Sequence, residues 1–374
     1  MKSIVKVGMF GILSVLVFSP LLTGCPGKNS PTAPASTNTP VPPTATPVIT
    51  NTPTNSPTKT PTAPPSTTAT LTPTPTPSST ATNSPTNSAT STPSDTPTVT
   101  STPTHYYSGF VTFGSGQMGQ PYGIRFATNG NLWVVNASRA DLQNWATVGG
   151  SPVTDIGTFP SAAPGYFSIP IAPGVNPVSG DVYVGDRLNY RLVVFNSAGV
   201  YQTTYIDGLS SLSGAAFNSA GTTLYALDSS GKCLAVPVTA GSPPTFGSPV
   251  TFANSGAGAI GNSFCVSTDS HDNIWIADYT NKLVRKYDPS LVYQSAITTT
   301  GTCVDMVVDA SDHVYVSDET ANDIIEFDAS GQQVTTFGGG TLGSPFGVAC
   351  DSTGHYVYVT DVVNNLVFGF QRIN

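Results

Sequence analysis

The sequence predicts an all-β head folded as a six-bladed β-propeller, set behind a long N-terminal tract that cannot build a core. Three observations predict it. A four-residue word (aromatic, apolar, variable, then Asp or Asn) recurs six times, beginning at Trp133, Tyr183, Tyr225, Trp275, Tyr315 and Tyr358, with starts 50, 42, 50, 40 and 43 residues apart. Nine residues after five of the six word ends stands a second aromatic: Trp145, Phe195, Tyr287, Phe327 and Phe370, with Pro237 breaking the pattern in the third repeat. Short alternating runs lie between Gly, Asn and Asp turns, with no sustained 3.6-residue period, and about four strands in each 40 to 50 residues is the mark of a propeller blade.

Residues 1 to 24 read as a signal peptide. Lys2 and Lys6 give a positive start, and the mostly apolar run from Val7 to Leu22 is short for a membrane span, which needs roughly 20 such residues. The closing Leu22-Thr23-Gly24-Cys25 resembles the bacterial lipobox, which implies cleavage before Cys25 and a diacylglycerol on its thiol. Several acyl chains hold a protein on a membrane where one would be marginal. Pro26 follows, and not the aspartate that retains many such lipoproteins on the inner membrane, so the resemblance implies the outer membrane or cell surface of a bacterium.

Residues 25 to 104 read as a disordered linker behind the lipidated cysteine. From Pro26 to Thr104 the chain holds 19 of its 33 prolines, three charged residues and no aromatic, so it has nothing with which to form a core. Thr-Pro and Ser-Pro units favour polyproline II geometry, and 79 residues at about 3.1 Å each give a contour of roughly 240 Å. Its many hydroxyls are potential acceptors of O-linked sugars.

The propeller occupies residues 105 to 374, which hold 33 of the 35 aromatics. The last repeat ends after its third strand, near Phe370, while Tyr107-Ser108-Gly109-Phe110-Val111-Thr112-Phe113 reads like the outer strand that precedes each later repeat. The expectation is that 107 to 113 completes the sixth blade, so that no strand edge is left open.

The run Gly180-Asp181-Val182-Tyr183-Val184-Gly185-Asp186, followed by Asn189-Tyr190-Arg191-Leu192 and Phe195, resembles the NHL repeat. Phe337-Gly338-Gly339 before Pro345-Phe346-Gly347-Val348, and Phe113-Gly114 before Pro121-Tyr122-Gly123-Ile124, resemble the junction between such repeats. The resemblance covers the whole head and is poorest in the third repeat. It implies the six-bladed fold, and it leaves scaffold, binding module and enzyme all open as functions.

The six word ends, Asn136, Asp186, Asp228, Asp278, Asp318 and Asp361, are the candidate rim or channel ligands. A short acceptor side chain at a strand end also suits an Asx turn in every blade, and that is the favoured reading. A gluconolactonase-like enzyme would hold a divalent cation such as calcium in the channel through Asn136, Asp186 and Asp278. Otherwise no cofactor is expected, and no phosphate loop, Gly-x-Ser-x-Gly nucleophile or His-Glu motif is present. Zinc-dependent amidating lyases of this propeller class are expected to carry histidines just after the word, where this chain has Asn, Arg, Lys and Gly. His271, His313 and His355 fall in the turn before the word in three consecutive repeats and read as surface turns, while Glu319 and Glu326 read as solvent-facing.

The head carries 9 Lys and Arg against 20 Asp and Glu, a net of −11 that disfavours nucleic acid. Cys233, Cys265, Cys303 and Cys350 are either buried thiols or disulfides, and Cys233 with Cys265 is the pairing the register favours. The reading that results is a membrane-anchored, exported binding module with a monomeric propeller and an unidentified protein or carbohydrate partner. The metal-dependent lactonase-like or lyase-like enzyme is the alternative.

Overall fold

In the words of the repeat, apolar residues stand side by side without polar alternation, as they must where a strand is covered on both faces. The computed structural model describes residues 105–373 apart from 148, 158–161, 207, 208, 210, 254 and 255, and it shows why both faces are covered. Six antiparallel sheets are each sandwiched between two neighbours. The signal peptide expected over 1 to 24, Cys25 and the linker expected over 25 to 104 lie outside the described residues.

β1 (Tyr107–Phe113) precedes the first blade, which is β2 (Pro121–Phe126), β3 (Leu132–Asn136), β4 (Asp141–Trp145) and β5 (Thr154–Ile156). The second is β6 (Pro170–Val175), β7 (Val182–Asp186), β8 (Arg191–Phe195) and β9 (Tyr201–Tyr205). The third is β10 (Leu212–Phe217), β11 (Thr223–Asp228), β12 (Cys233–Thr239), β13 (Thr245–Phe246) and β14 (Val250–Phe252). The fourth is β15 (Ser263–Thr268), β16 (Ile274–Asp278), β17 (Leu283–Tyr287) and β18 (Tyr293–Thr298), and the fifth β19 (Cys303–Val308), β20 (Val314–Asp318), β21 (Asp323–Phe327) and β22 (Gln333–Phe337). The sixth joins β23 (Pro345–Cys350), β24 (Tyr356–Asp361) and β25 (Leu366–Arg372) to β1.

The core is divided among the seams between blades. Because side chains alternate along a strand, Trp133 and Val135 face the second blade beside Val182, Val184 and Phe195, while Leu132 and Val134 face the sixth beside Ala349, Tyr358 and Val367. Burying one such side chain stabilises by about 1.5–3 kcal/mol, and every seam has a comparable cluster. The aromatic nine residues after the word serves the same seams: Trp145, Phe195, Tyr287, Phe327 and Phe370 are all buried. Exposure rises outward, and β22, on the outside, has only one of its five residues buried.

The third blade departs from the pattern where Pro237 replaces that aromatic. Proline has no N–H to give the outer ladder, and β12 divides its outer partner accordingly: Cys233 to Ala235 pair with β14, and Val238 and Thr239 with β13. Ring closure is antiparallel, from Tyr107 opposite Arg372 to Phe113 opposite Val367, with a bulge between Gly109 and Val111. Two inner-strand glycines let the blades meet at the axis. A Cβ on Gly347 would stand 2.4 Å from the Tyr122 carbonyl oxygen, and one on Gly123 would stand 2.6 Å from the Ala172 Cα.

Candidate functional site

Each of the six inner strands loses register within its first few residues, for example between Pro121 and Ile124, Ser263 and Cys265, and Pro345 and Val348. A bulge re-aims the side chains around it, and here it brings the second strand residues together at the axis. Tyr122, Ile171, Phe264, Val304 and Phe346 join one buried cluster with Ala137 and Val362, which directly follow word ends. Tyr122 and Phe346 stack with centroids 4.4 Å apart, and Phe264 meets Phe346 at 6.3 Å and Tyr279 at 5.6 Å. The Arg187 guanidinium lies 5.9 Å from the Phe264 ring centroid and donates from Nε to Ser211 Oγ at 3.0 Å. Burial lowers the Arg187 pKa and raises that of Tyr122. This aromatic plug fills the channel at the end where the words stop.

Deeper in the channel an ion pair crosses the axis. Arg125 of the first blade donates Nη2 and Nη1 to Asp305 Oδ1 and Oδ2 of the fifth at 2.8 and 2.9 Å. The guanidinium also reaches the Val348 carbonyl of the sixth blade and the Cys265 thiol of the fourth. Asp305 accepts in addition from the backbone N–H groups of Met306 at 2.8 Å and Val348 at 3.0 Å. Four blades are therefore tied at one point. Asp305 outweighs the effect of burial on Arg125 and raises its pKa further, so the guanidinium stays charged. On the far side of Arg125 the channel opens into a cavity of about 270 Å³ bordered by Phe126, Phe217, Val266, Val307 and Cys350.

All six word ends are buried, and each faces the turn that follows it. Asp186 accepts from Asn189 Nδ2 at 2.7 Å, Arg191 Nε at 2.8 Å and the Ser168 N–H at 2.6 Å. Asp278 is held the same way by Asn281 and Arg285 Nε. Asp228 accepts from Ser230 and Lys232, Asp318 from the Thr320 and Ala321 N–H groups, and Asp361 from Val363, Asn364 and Gly343. In the first blade Asn136 instead donates to Asp141 Oδ1 at 2.7 Å, and Arg139 pairs with the other oxygen. The geometry is that of Asx turns. A channel cation held by Asn136, Asp186 and Asp278 does not fit it, since the two carboxylates are already engaged by arginines and by turn amides in separate blades.

Two readings of the acidic and basic residues need correction. Glu326 is fully buried on β21 and does not face solvent, because His105, just before β1, and His313 both close over it. Each imidazole Nδ1 lies 2.7 Å from Glu326 Oε1. His313 is consequently not a free surface turn, although His271 is 72% exposed, its Nδ1 near the Ser270 hydroxyl and Asp312, in the corresponding turn of the next blade. Hydrogen bonding to Glu326 raises the His313 pKa. Burial pushes the Glu326 carboxyl up, and the two imidazoles outweigh it and hold the group below its ordinary value. Glu319 is exposed, beside Tyr279 at the channel mouth.

Of the two alternatives for the cysteines, the structure has the buried thiols: Cys233, Cys265, Cys303 and Cys350 are all free, and the Cys233–Cys265 pairing is not formed. Cys233 packs in the seam with Phe252 and Tyr287, whereas Cys265 packs in the next seam and receives Arg125, so the two thiols never face each other. Burial pushes the Cys303 thiol up to about 12.

The sequence matches no family model and no curated protein. By structure, the chain is similar to the propeller seen in the nidogen/laminin complex, with a TM-score of 0.51 and 13% identity over 62% of this chain and 85% of that one. It is similar to the same degree to virginiamycin B lyase from Staphylococcus aureus, with a TM-score of 0.51 and 13% identity over 72% of this chain and all (100%) of the lyase. A catalytically inactive form of that lyase with quinupristin gives 0.50 and 11%. With 1625 matching chains, the architecture is too widely used to carry a function. What these likenesses and the strand order establish together is the fold: the chain is a six-bladed β-propeller, related in architecture to the nidogen and virginiamycin B lyase propellers.

Proposed function

We propose that the chain is an exported bacterial lipoprotein, anchored through Cys25, whose NHL-like propeller is a binding head for a protein or carbohydrate partner. One observation carries the reading. The polar groups at the word end of the ring are engaged in their own turns and the channel there is plugged, while Tyr166, Leu188, Tyr190 and Val363 stand 44 to 54% exposed on loops of that end. Apolar side chains around a rigid rim suit recognition of a surface. β1 begins beside Arg372, at the opposite end of the ring, so the chain reaches the head on the side away from these loops. A propeller of similar fold occurs in complex with laminin, which supports the same reading.

A photo-crosslinking residue at Tyr190 or Val363, 54 and 52% exposed, is compared in cells with one at Val200 or Val292 of the opposite end, 57 and 56% exposed. A discrete adduct from the first pair alone is expected. Equal adducts from both pairs, or none from the first, defeat the reading. Cys25→Ser tests the anchor separately, by loss of fatty-acid labelling and of cleavage before residue 25. The second reading is a metal-dependent enzyme in the channel; the fold shared with virginiamycin B lyase supports an enzyme, while the bonds already made by Asp186 and Asp278 weigh against a cation there. It requires a rise in melting temperature with calcium or manganese that Asp186→Ala or Asp278→Ala removes.

A further inference from the structure

We propose that His105, His313 and Glu326 form a zinc(II) site that clips the first residue of the head to the fifth blade. The three donors come from separate parts of the chain: His105 precedes β1, His313 lies in the turn before β20, and Glu326 is on β21. Closure of the ring brings them together. Both Nδ1 atoms lie 2.7 Å from Glu326 Oε1, the two rings stack with centroids 5.5 Å apart, and the donor atoms are all within 4.8 Å of one another. A four-coordinate zinc with bonds of about 2.0–2.2 Å sets its ligands roughly 3.4 Å apart, so each N···O separation opens by less than about 1 Å to admit it.

A second, independent feature points at a cation. The Glu326 carboxylate is completely buried, yet its Oε2 has no hydrogen-bond partner. A buried carboxylate oxygen without a partner is costly, and a metal bound by this carboxylate would answer it. Two imidazoles and one carboxylate form a three-ligand set that leaves one coordination position open. Both imidazoles also border a pocket of about 270 Å³, shared with Asp309, Ser311, Asp328 and Arg372, from which a water or a small anion would fill that position. Nitrogen donors favour zinc over calcium or magnesium, which take oxygen. Zinc takes the Nδ1 lone pair of each imidazole, so a neutral ring carries its proton on Nε2 when the metal is bound, and a doubly protonated ring releases one proton to solvent on binding. Asp269, His271 and Asp312 also lie close together, but their carboxylates already accept from Trp275, Asn273 and the Ser270 N–H, and His271 is exposed.

The test is calorimetric titration of the chelator-stripped full chain with zinc chloride, repeated with cobalt(II) so that visible absorption reports a four-coordinate nitrogen and oxygen site. One equivalent of saturable zinc is expected, with affinity falling more than about tenfold in His105→Ala and in His313→Ala and unchanged in His271→Ala. Glu326→Gln should abolish binding. If that variant does not fold, His105→Ala, which alters a side chain at the edge of the head, still decides the matter. The proposal is overturned if no saturable heat is seen, if one-equivalent binding survives both histidine changes, or if it is lost in His271→Ala alone.

Discussion

Asp305→Asn tests whether the ion pair across the channel holds the ring together. The substitution keeps the size of the side chain and one acceptor oxygen, enough for either the Met306 or the Val348 N–H, which now bond to different carboxylate oxygens, and it leaves Arg125 charged among Ile124, Met306 and Val348 carbonyls with no counter-ion. Asp305 is 4% exposed and Arg125 13%, so the pair is largely out of water. Removing one partner of a buried pair costs about 3–5 kcal/mol, most of it from the stranded charge. A domain of this size moves by about 2–4 °C per kcal/mol, so the melting temperature should fall by roughly 10 °C. Adding Arg125→Met removes the stranded charge, and the double variant should recover most of that loss. The assay is denaturant unfolding of wild type, the two single variants and the double, closed as a double-mutant cycle. A loss under about 1 kcal/mol for Asp305→Asn alone would refute the reasoning, since a pair that weak is one that solvent already screens.

Three further outcomes follow from the fold. Gly347→Ala drives a methyl group into the Tyr122 backbone and should cost about 1–3 kcal/mol in chemical denaturation; an unchanged midpoint would mean that the inner strands are not held at that approach. Deleting residues 105 to 113 exposes the edge of β25 and removes the buried Phe113 and the ring of Tyr107 stacked on Phe337, so the whole head should melt far lower, whereas an equal deletion within residues 26 to 104 should leave the melting temperature unchanged. Asp269 is buried, which pushes its carboxyl up, but bonds from Trp275, Asn273 and Lys286 outweigh burial and hold it below the ordinary 3.8. A depressed carboxyl stabilises fully above its unfolded value and loses that contribution as pH falls through the folded one. The advantage of wild type over Asp269→Asn should therefore be full at pH 6 and shrink below about pH 4, and a difference that is constant with pH would contradict it.

The blade count and the order of strands were legible because they rest on a repeat. Six words and five following aromatics give the ring before any contact is known, and Pro237 marks in advance the blade whose outer ladder is divided. The word ends were legible as turn residues for a local reason: the partners Ser230 and Lys232 of Asp228, and Asn364 of Asp361, lie within a few positions of the acceptor. What escaped sequence reasoning was contact between distant repeats. Glu326 occupies an ordinary strand position, and the return of the chain start beside the fifth blade sets His105, 221 residues away, over it together with His313 of its own repeat. Arg125 and Asp305 are 180 residues apart, and neither is part of the repeated word. One sign was available: both break the pattern by placing a charge on an inner strand, where the other blades carry small or apolar residues.

The closing strand also fixes how the head would carry a mechanical load. β1 starts at Tyr107 beside Arg372 and runs antiparallel to β25 up to Phe113, while the Ile373 N–H holds the Tyr106 carbonyl at 2.8 Å. Tension transmitted through residue 105 pulls along β1, parallel to its own axis and across its ladder of hydrogen bonds. That is a shearing geometry, in which the bonds bear the force together and do not open one after another from an end. A pull applied through the chain start thus meets the sixth blade where its resistance is shared, and the ring would give way by sliding a whole strand rather than by peeling.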